Sequence, residues 1–244
     1  MMNVVIPMAG LGSRFLNAGY DVPKPFIEVN GKPLIELVLE NLRLPDARYI
    51  LLVRQEHMQS QAAALDQLAK KFDVQLVPIP KLTEGAACTV LHAHRLINTD
   101  VPLLLANSDQ FIDASVQEYI EDCMHRGLDG SILTFIDAEK NPKWSFAKID
   151  SNGEVLEVQE KNPISQYATV GLYFFSKGRY FVNAAIDMIV ANERVNGEFY
   201  TCPVYNYCIA DHQKIGIFNI PATAMHGLGT PEDLQRFIHH TSCL

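Results

Sequence analysis

The feature that most limits how this chain can fold lies at its start, where an apolar run over residues 3–8 passes directly into Ala9-Gly10-Leu11-Gly12-Ser13-Arg14-Phe15. An apolar run without polar alternation is a strand buried on both faces, and such strands belong to parallel sheets covered by helices. Two glycines one residue apart allow a tight turn from that strand into a helix and let backbone N–H groups come close to a ligand. Pro23-Lys24-Pro25 follows. The two prolines predict an extended segment that aims the Lys24 ammonium. N–H groups over Ala9, Gly10, Leu11, Gly12 and Ser13, with fixed positive charge at Arg14 and Lys24, supply what a nucleoside triphosphate needs. Other glycine motifs fit less well. Phe15 stands where a dinucleotide-binding turn has its third glycine, and no G-x-x-x-x-G-K-[ST] string occurs, which argues against a hydride-transfer cofactor and a Walker-type ATPase.

The net charge of −8 argues against nonspecific nucleic-acid binding, because nothing would drive counterion release from a phosphate backbone. Anionic substrates must then be met by a local cationic pocket. Five cysteines, with no C-x-x-C pair, suggest neither a disulfide framework nor a zinc site and read as reduced thiols. No basic leader and no membrane-length apolar stretch is present, so the expectation is a soluble, cytoplasmic protein without a membrane partner. A chain of 244 residues can bury one substantial core, and a single domain over 1–244 is predicted.

Apolar β-rich runs at 4–8, 49–53, 74–78 and 101–106 alternate with helical periodicity at 33–42, 57–72 and 84–96. This βαβ succession predicts an α/β fold, a mostly parallel mixed central sheet with helices on both faces, and ligands gathered at the carboxyl ends of the strands. Segments 10–14, 83–87 and 107–110 follow strand ends and can line one crevice. A helix at 114–126, strands at 130–135, 146–149, 154–158 and 168–175, helices at 179–191 and 202–210, and a strand at 215–219 continue the pattern. Ser151-Asn152-Gly153 is a hairpin turn. Thr230-Pro231-Glu232-Asp233 starts a last helix with Thr230 as N-cap.

The strand, the G-x-G-S-R turn and the P-K-P string, in that order and spacing, resemble the sugar-phosphate nucleotidyltransferases, the NDP-sugar pyrophosphorylases. The resemblance implies a single Rossmannoid, GT-A-like domain, with the nucleotide on a half over about 1–113 and the sugar phosphate on a half over about 114–244. Asp109, after the buried run 102–106, suits a Mg²⁺ ligand. In the family the metal-binding Asp follows this same strand. Asn107-Ser108 stands where a glycine is usual, which marks a divergent subgroup, and Ser108 joins the nucleotide contacts. The family reads its base at the segment holding Glu84 and Gly85. Pro80 replaces an upstream glutamine, so UTP, CTP and dTTP all stay open.

Glu160-Lys161 resembles the family's E-K-P motif, which implies that Glu160 accepts hydroxyls of the sugar and Lys161 holds its phosphate. Gly171, in a string like T-G-L-Y-F-Y, implies close approach of the sugar to backbone, and Glu198, in Gly197-Glu198-Phe199-Tyr200, a second hydroxyl acceptor. The family's W-x-D-x-G-T string supplies a second metal carboxylate. Here Gly227 takes its place, leaving Asp109 alone or with His226, although Mg²⁺ disfavours nitrogen donors. His92 and His94 point to different helix faces, and His239-His240 lies by a fraying terminus. Trp144 and Phe146 pack either on a sugar or over the core.

The sequence thus reads as a nucleotidyltransferase joining an NTP to a sugar phosphate or similar alcohol phosphate, with Mg²⁺, in cell-surface polysaccharide synthesis. Self-association stays open. Its rivals are a GT-A glycosyltransferase, of whose D-x-D motif Asn107-Ser108-Asp109 is a poor copy, and a non-catalytic sugar-nucleotide-binding protein.

Overall fold

In the computed structural model, which describes residues 1–242, the first strand β1 (Met2–Pro7) divides its side chains between two cores, Val4 and Ile6 on one face and Val5 on the other. The same division recurs in the next parallel strands, which is why these runs are apolar at every position. After β1 come the short helix α1 (Ser13–Asn17), a 3₁₀ turn at Lys24–Phe26, a small hairpin of β2 (Glu28–Val29) and β3 (Lys32–Pro33), and helix α2 (Leu34–Asn41). Strand β4 (Ala47–Arg54) leads through α3 (Gln55–Ser60) and α4 (Ala62–Lys71) to β5 (Val74–Ile79). Helices α5 (Ala86–Leu91) and α6 (His94–Ile97) then lead to β6 (Leu103–Ala106) and the short β7 (Gln110–Ile112).

Helix α7 (Val116–His125) precedes β8 (Gly130–Ile136), β9 (Ser145–Ile149), β10 (Val155–Glu160) and the long β11 (Tyr167–Phe175). Helices α8 (Gly178–Val190) and α9 (Val204–Ala210), strand β12 (Ile215–Ile220), strand β13 (Met225–Gly227) and helix α10 (Pro231–Ser242) complete the chain.

The large sheet is mixed. Its strands run in the order β10-β9-β11-β6-β1-β4-β5, with β8 also paired to β11 and β12 to β8. Pairs β4–β5, β1–β4 and β1–β6 are parallel, β11 runs antiparallel to β6, β8 and β9, and β8–β12 is parallel again. From β1 the chain moves outward to β4 and β5, then returns to the opposite side of β1 as β6. The carboxyl ends of β1 and β6 are therefore a topological switch point, where open α/β sheets bind ligands.

Several predicted elements are subdivided. The helix expected over 57–72 breaks at Gln61, and that expected over 84–96 begins after Gly85 and pauses at residues 92–93. The Asn-Gly hairpin joins β9 to β10, and Asp233 N–H donates to Thr230 Oγ1 at 3.1 Å, the cap read from sequence. The terminal histidines, expected at a fraying end, lie in the last turn of α10. Cys88, Cys123, Cys202 and Cys208 are free thiols, and burial pushes Cys123 up to about 12, an inert state; Cys243 lies outside the described residues. Among the described residues no helix is long and apolar enough to cross a membrane.

Candidate active site

The glycine turn leaves β1 beside the end of β6, since Val5 is in register with Leu105. Gly12 adopts a left-handed conformation, φ 63°, that caps α1, and a Cβ there would press on Lys24 Cβ at 3.2 Å. That glycine thus admits the Lys24 backbone to the turn. Lys24 itself is not extended as predicted. It opens a 3₁₀ turn, in which Pro25 loses nothing because the first N–H groups of such a turn have no partner. The consequence foreseen for it holds in a different geometry: Lys24 Nζ is aimed across the crevice and ion-pairs with Asp109 Oδ2. Asp109 is fixed by its own carbonyl, which accepts from Leu228 N–H at 2.7 Å.

The crevice has two lobes. One, of about 510 Å³, is lined by residues 7–13, Lys24, Thr83, Gly85, Ser108 and Glu198. The other, of about 270 Å³, holds Arg14, Gln110, Trp144, Ser145, Glu160 and Gly171. Ala86, Asn107, Asp109 and Tyr200 border both, so the lobes are one continuous cleft.

Around the second lobe, burial raises the Glu160 carboxyl above its usual range, while the Ser145 hydroxyl that donates to it and the neighbouring Lys161 oppose the shift. Lys161, held at φ 57°, donates from Nζ to the Tyr200 hydroxyl at 2.7 Å and lies 4.6 Å from that ring. A left-handed non-glycine residue is strained by about 1–3 kcal/mol and persists only where its surroundings impose it. Burial raises the Tyr200 hydroxyl, and its hydrogen bond to Glu198 raises it further, which links Lys161, Tyr200 and Glu198 across the junction of the lobes. Gly171, φ 92°, sits at a register shift of β11, and a Cβ there would collide with the Asn107 and Gln110 side chains. Its open space is therefore occupied by those two amides. Gln110 Oε1 is buried without a hydrogen-bond partner among the described residues.

The structure gathers most of the nominated residues but redistributes some. Glu84 turns out of the cleft, exposed and ion-paired with Arg194 at 2.6 Å. Arg14 borders the second lobe rather than the glycine-turn lobe, and Glu198 borders the glycine-turn lobe. Lys161 lines neither lobe directly and reaches the cleft through Tyr200. Phe146 is core, whereas Trp144 borders the second lobe and packs edge-on to Phe135 at 5.4 Å.

One residue escaped the sequence reading. A Cβ at Gly227 would lie 3.7 Å from Asp233 Oδ2, and one at Gly229 would lie 3.1 Å from Asp109 Oδ2. Asp233, on the first turn of α10, therefore brings a carboxylate beside position 227, where the family resemblance implies one. Its Oδ1 accepts from Arg236, which leaves Oδ2 toward the cleft. His226 is not the replacement: it borders a different cavity and pairs with Asp113 at 2.7 Å.

A cleft at the switch point of a mixed sheet, opening from a glycine turn with a facing lysine and carboxylate, defines an α/β protein of the nucleotide-binding class. The chain belongs to the nucleotidyl transferase family, whose pattern it matches over residues 3–207. Among solved structures it resembles the nucleoside-diphosphate-sugar pyrophosphorylase from Vibrio cholerae RC9, with 27% identity, a TM-score of 0.83 and coverage of 97% of this chain and 99% of that one. The inositol-1-phosphate CTP transferase from T. maritima shares the fold at 15% identity, TM-score 0.78, over 99% of this chain and 95% of that one. The mannose-1-phosphate guanylyltransferase catalytic subunit beta of Drosophila melanogaster is 26% identical over 181 residues, 70% of this chain and 47% of that protein. The bifunctional protein GlmU of Methanococcus aeolicus is 23% identical over 176 residues, 71% and 40% respectively. The chain thus spans less than half the length of these two curated relatives. Members of the family use divalent metal ions.

Proposed function

We propose that the chain is a nucleotidyltransferase that joins an NTP to a sugar phosphate or similar alcohol phosphate and releases pyrophosphate. The observation that carries this reading is the continuity of the cleft: a glycine turn facing Lys24 and Asp109 opens, past Asn107 and Tyr200, into a lobe rich in hydroxyl acceptors. The nucleotide lies on the 1–113 half and the acceptor mainly on the 114–244 half. N–H groups over residues 10–13 hold the β- and γ-phosphates. Thr83, Gly85 and Ala86 offer a flat, small-residue wall to the base.

The acceptor needs no general base, because a phosphate monoester with a second pKa of about 6 is already mostly dianionic near neutral pH. Its oxygen attacks the α-phosphorus in line, the bond from that phosphorus to the β-phosphate bridging oxygen breaks, and the electron pair leaves with pyrophosphate. Arg14, from the second lobe, neutralises the transferring phosphoryl group, and Lys24, from the glycine-turn lobe, the departing one. Glu160, and Glu198 through Tyr200, accept acceptor hydroxyls, Gln110 Oε1 offers a further buried acceptor, and Lys161, behind Tyr200, adds positive charge toward the acceptor's phosphate.

The donor set fits a hard divalent cation, since Asp109 and Asp233 both border the second lobe and Mg²⁺ takes one or two carboxylates with phosphate oxygens. Asp109 and Asp233 would hold Mg²⁺, which when bound supplies charge neutralisation on the phosphates. The NTP supply places the reaction in the cytoplasm, and the product serves glycosyl transfer such as polysaccharide synthesis.

A pyrophosphate-release assay across NTPs and phosphorylated acceptors tests this reading. One NTP and acceptor pair should turn over, and Lys24→Ala or Arg14→Ala should each lower its rate by about 100-fold or more with the circular dichroism unchanged. Absence of pyrophosphate from every pair, or near-normal rates in both variants, would overturn it.

A further inference from the structure

Consecutive residues of a strand face opposite sides, and β13 uses both. Gly227 borders the second lobe of the cleft and, with Asp233, the rim of a neighbouring cavity of about 420 Å³, into which His226 turns with Met225, Phe237 and His240. There, His226 Nε2 lies 2.7 Å and His240 Nε2 3.9 Å from the same oxygen, Asp113 Oδ2. All three donor atoms lie within 4.8 Å of one another. The two imidazoles stack at 28° with centroids 5.0 Å apart, and Phe111 and Phe237 flank His226 at 6.2 and 5.8 Å.

These residues come from three separate segments: the end of β7, strand β13 and the last turns of α10. The β7–β13 pairing sets His226 opposite Phe111, and Asp113 N–H donates to Ala224 O at 2.8 Å, so two of the three donors are fixed by backbone. Two imidazoles and a carboxylate are the ligand set of zinc rather than of magnesium, which avoids nitrogen. With bonds of about 2.0–2.2 Å, a tetrahedral ion separates its donors by roughly 3.4 Å. The observed 2.7 and 3.9 Å bracket that spacing. Half-exposed Asp113 and His240 leave the fourth position to water.

We propose that Asp113, His226 and His240 form a site for a borderline transition-metal ion of the zinc type, distinct from the Asp109 and Asp233 carboxylates of the cleft. The ion clamps the end of α10 to the β7–β13 pair. On binding, the metal takes the place of the direct contact between His226 Nε2 and Asp113. Because Asp233 lies on the first turn of α10, the clamp also steadies the helix that presents that carboxylate to the cleft.

The test uses the untagged full-length chain, stripped of metal and titrated with Co²⁺ in excess Mg²⁺. We expect one Co²⁺ per chain, with a visible ligand-field absorption that Zn²⁺ displaces and Mg²⁺ does not. Zn²⁺ at about 100 times Kd should raise Tm by roughly 5–10 °C. His226→Ala, His240→Ala and Asp113→Asn should each weaken Co²⁺ binding at least tenfold, whereas Asp109→Asn and Asp233→Asn should leave it unchanged. His240 is a half-exposed helix residue, so His240→Ala and the closer His240→Gln test the site without threatening the fold. Absence of Co²⁺ binding, binding that survives both His240 variants, or binding lost in Asp109→Asn would each overturn the proposal.

Discussion

In the proposed acceptor site, buried Glu160 would tie recognition to pH. Burial raises its carboxyl above the ordinary value of 4.5, and Ser145 holds it down. Because the native value lies above the unfolded one, the folded protein binds the extra proton between the two. Ionised Glu160 therefore opposes folding above that window, and the penalty is relieved as pH falls through it. Binding runs the other way, since only the carboxylate accepts hydroxyls on both oxygens. The KM for the acceptor should rise as pH is lowered, beginning above pH 4.5, while the KM for the NTP stays level. Ser145→Ala should move that rise to higher pH, and an unchanged profile in Ser145→Ala would remove Glu160 from the acceptor site. Asp109 and Asp233 set a second expectation. With Lys24 paired to Asp109, the free protein should hold Mn²⁺ weakly and acquire it as the metal–NTP complex. Titration with Mn²⁺ should show at least tenfold tighter binding with NTP present. Asp233→Asn should lose most of that gain, and full retention would return the second metal position to solvent.

At the scale of elements, Gly85 is where the fold depends on a missing side chain. Its φ of 123° with ψ 173° is a conformation open essentially to glycine alone, and a Cβ would strike the Phe199 backbone, with Phe199 N only 2.6 Å away. Gly85→Ala should cost about 2 kcal/mol or more, a fall in Tm of roughly 4–8 °C, and should weaken NTP binding by displacing α5. A Tm within one degree of the parent would show that the loop relaxes freely. What the sequence made legible follows the same logic. Doubly buried strands such as β1 and β6 declare themselves by unbroken apolar runs, and the glycine turn by its spacing. Strands of two or three residues such as β3 and β7 carry no periodicity, and β7 with β13 forms only through a tertiary return of the chain. That return puts Asp233 beside Gly227, six positions away, so the cap motif could be read but its carboxylate's second use could not. Glu84 failed for the converse reason: Arg194, a distant residue, draws it out of the cleft.

For the whole molecule, the proposed nucleotide and acceptor halves do not coincide with folding halves. Strand β11 lies between β6 and β9 in the sheet order and also pairs with β8, so the 114–244 half completes the edge of the strand that presents Asp109. Neither half can bury its side of the sheet alone, and the two cores each draw residues from both. Unfolding should therefore be one cooperative transition. The chain contains a single tryptophan, and Trp144 borders the second lobe, so its fluorescence reports on the 114–244 half while far-UV circular dichroism reports on all of the sheet and helices. Urea melts followed by the two signals should superimpose. A metal–NTP complex at about 100 times Kd should shift both by the same amount, equivalent to about 2.7 kcal/mol, although it contacts mainly the other half. An acceptor phosphate should change Trp144 fluorescence directly, and NTP alone should change it far less. Melts that separate, or a nucleotide that protects the circular dichroism signal without protecting Trp144, would mean that the halves fold as independent units despite their shared sheet.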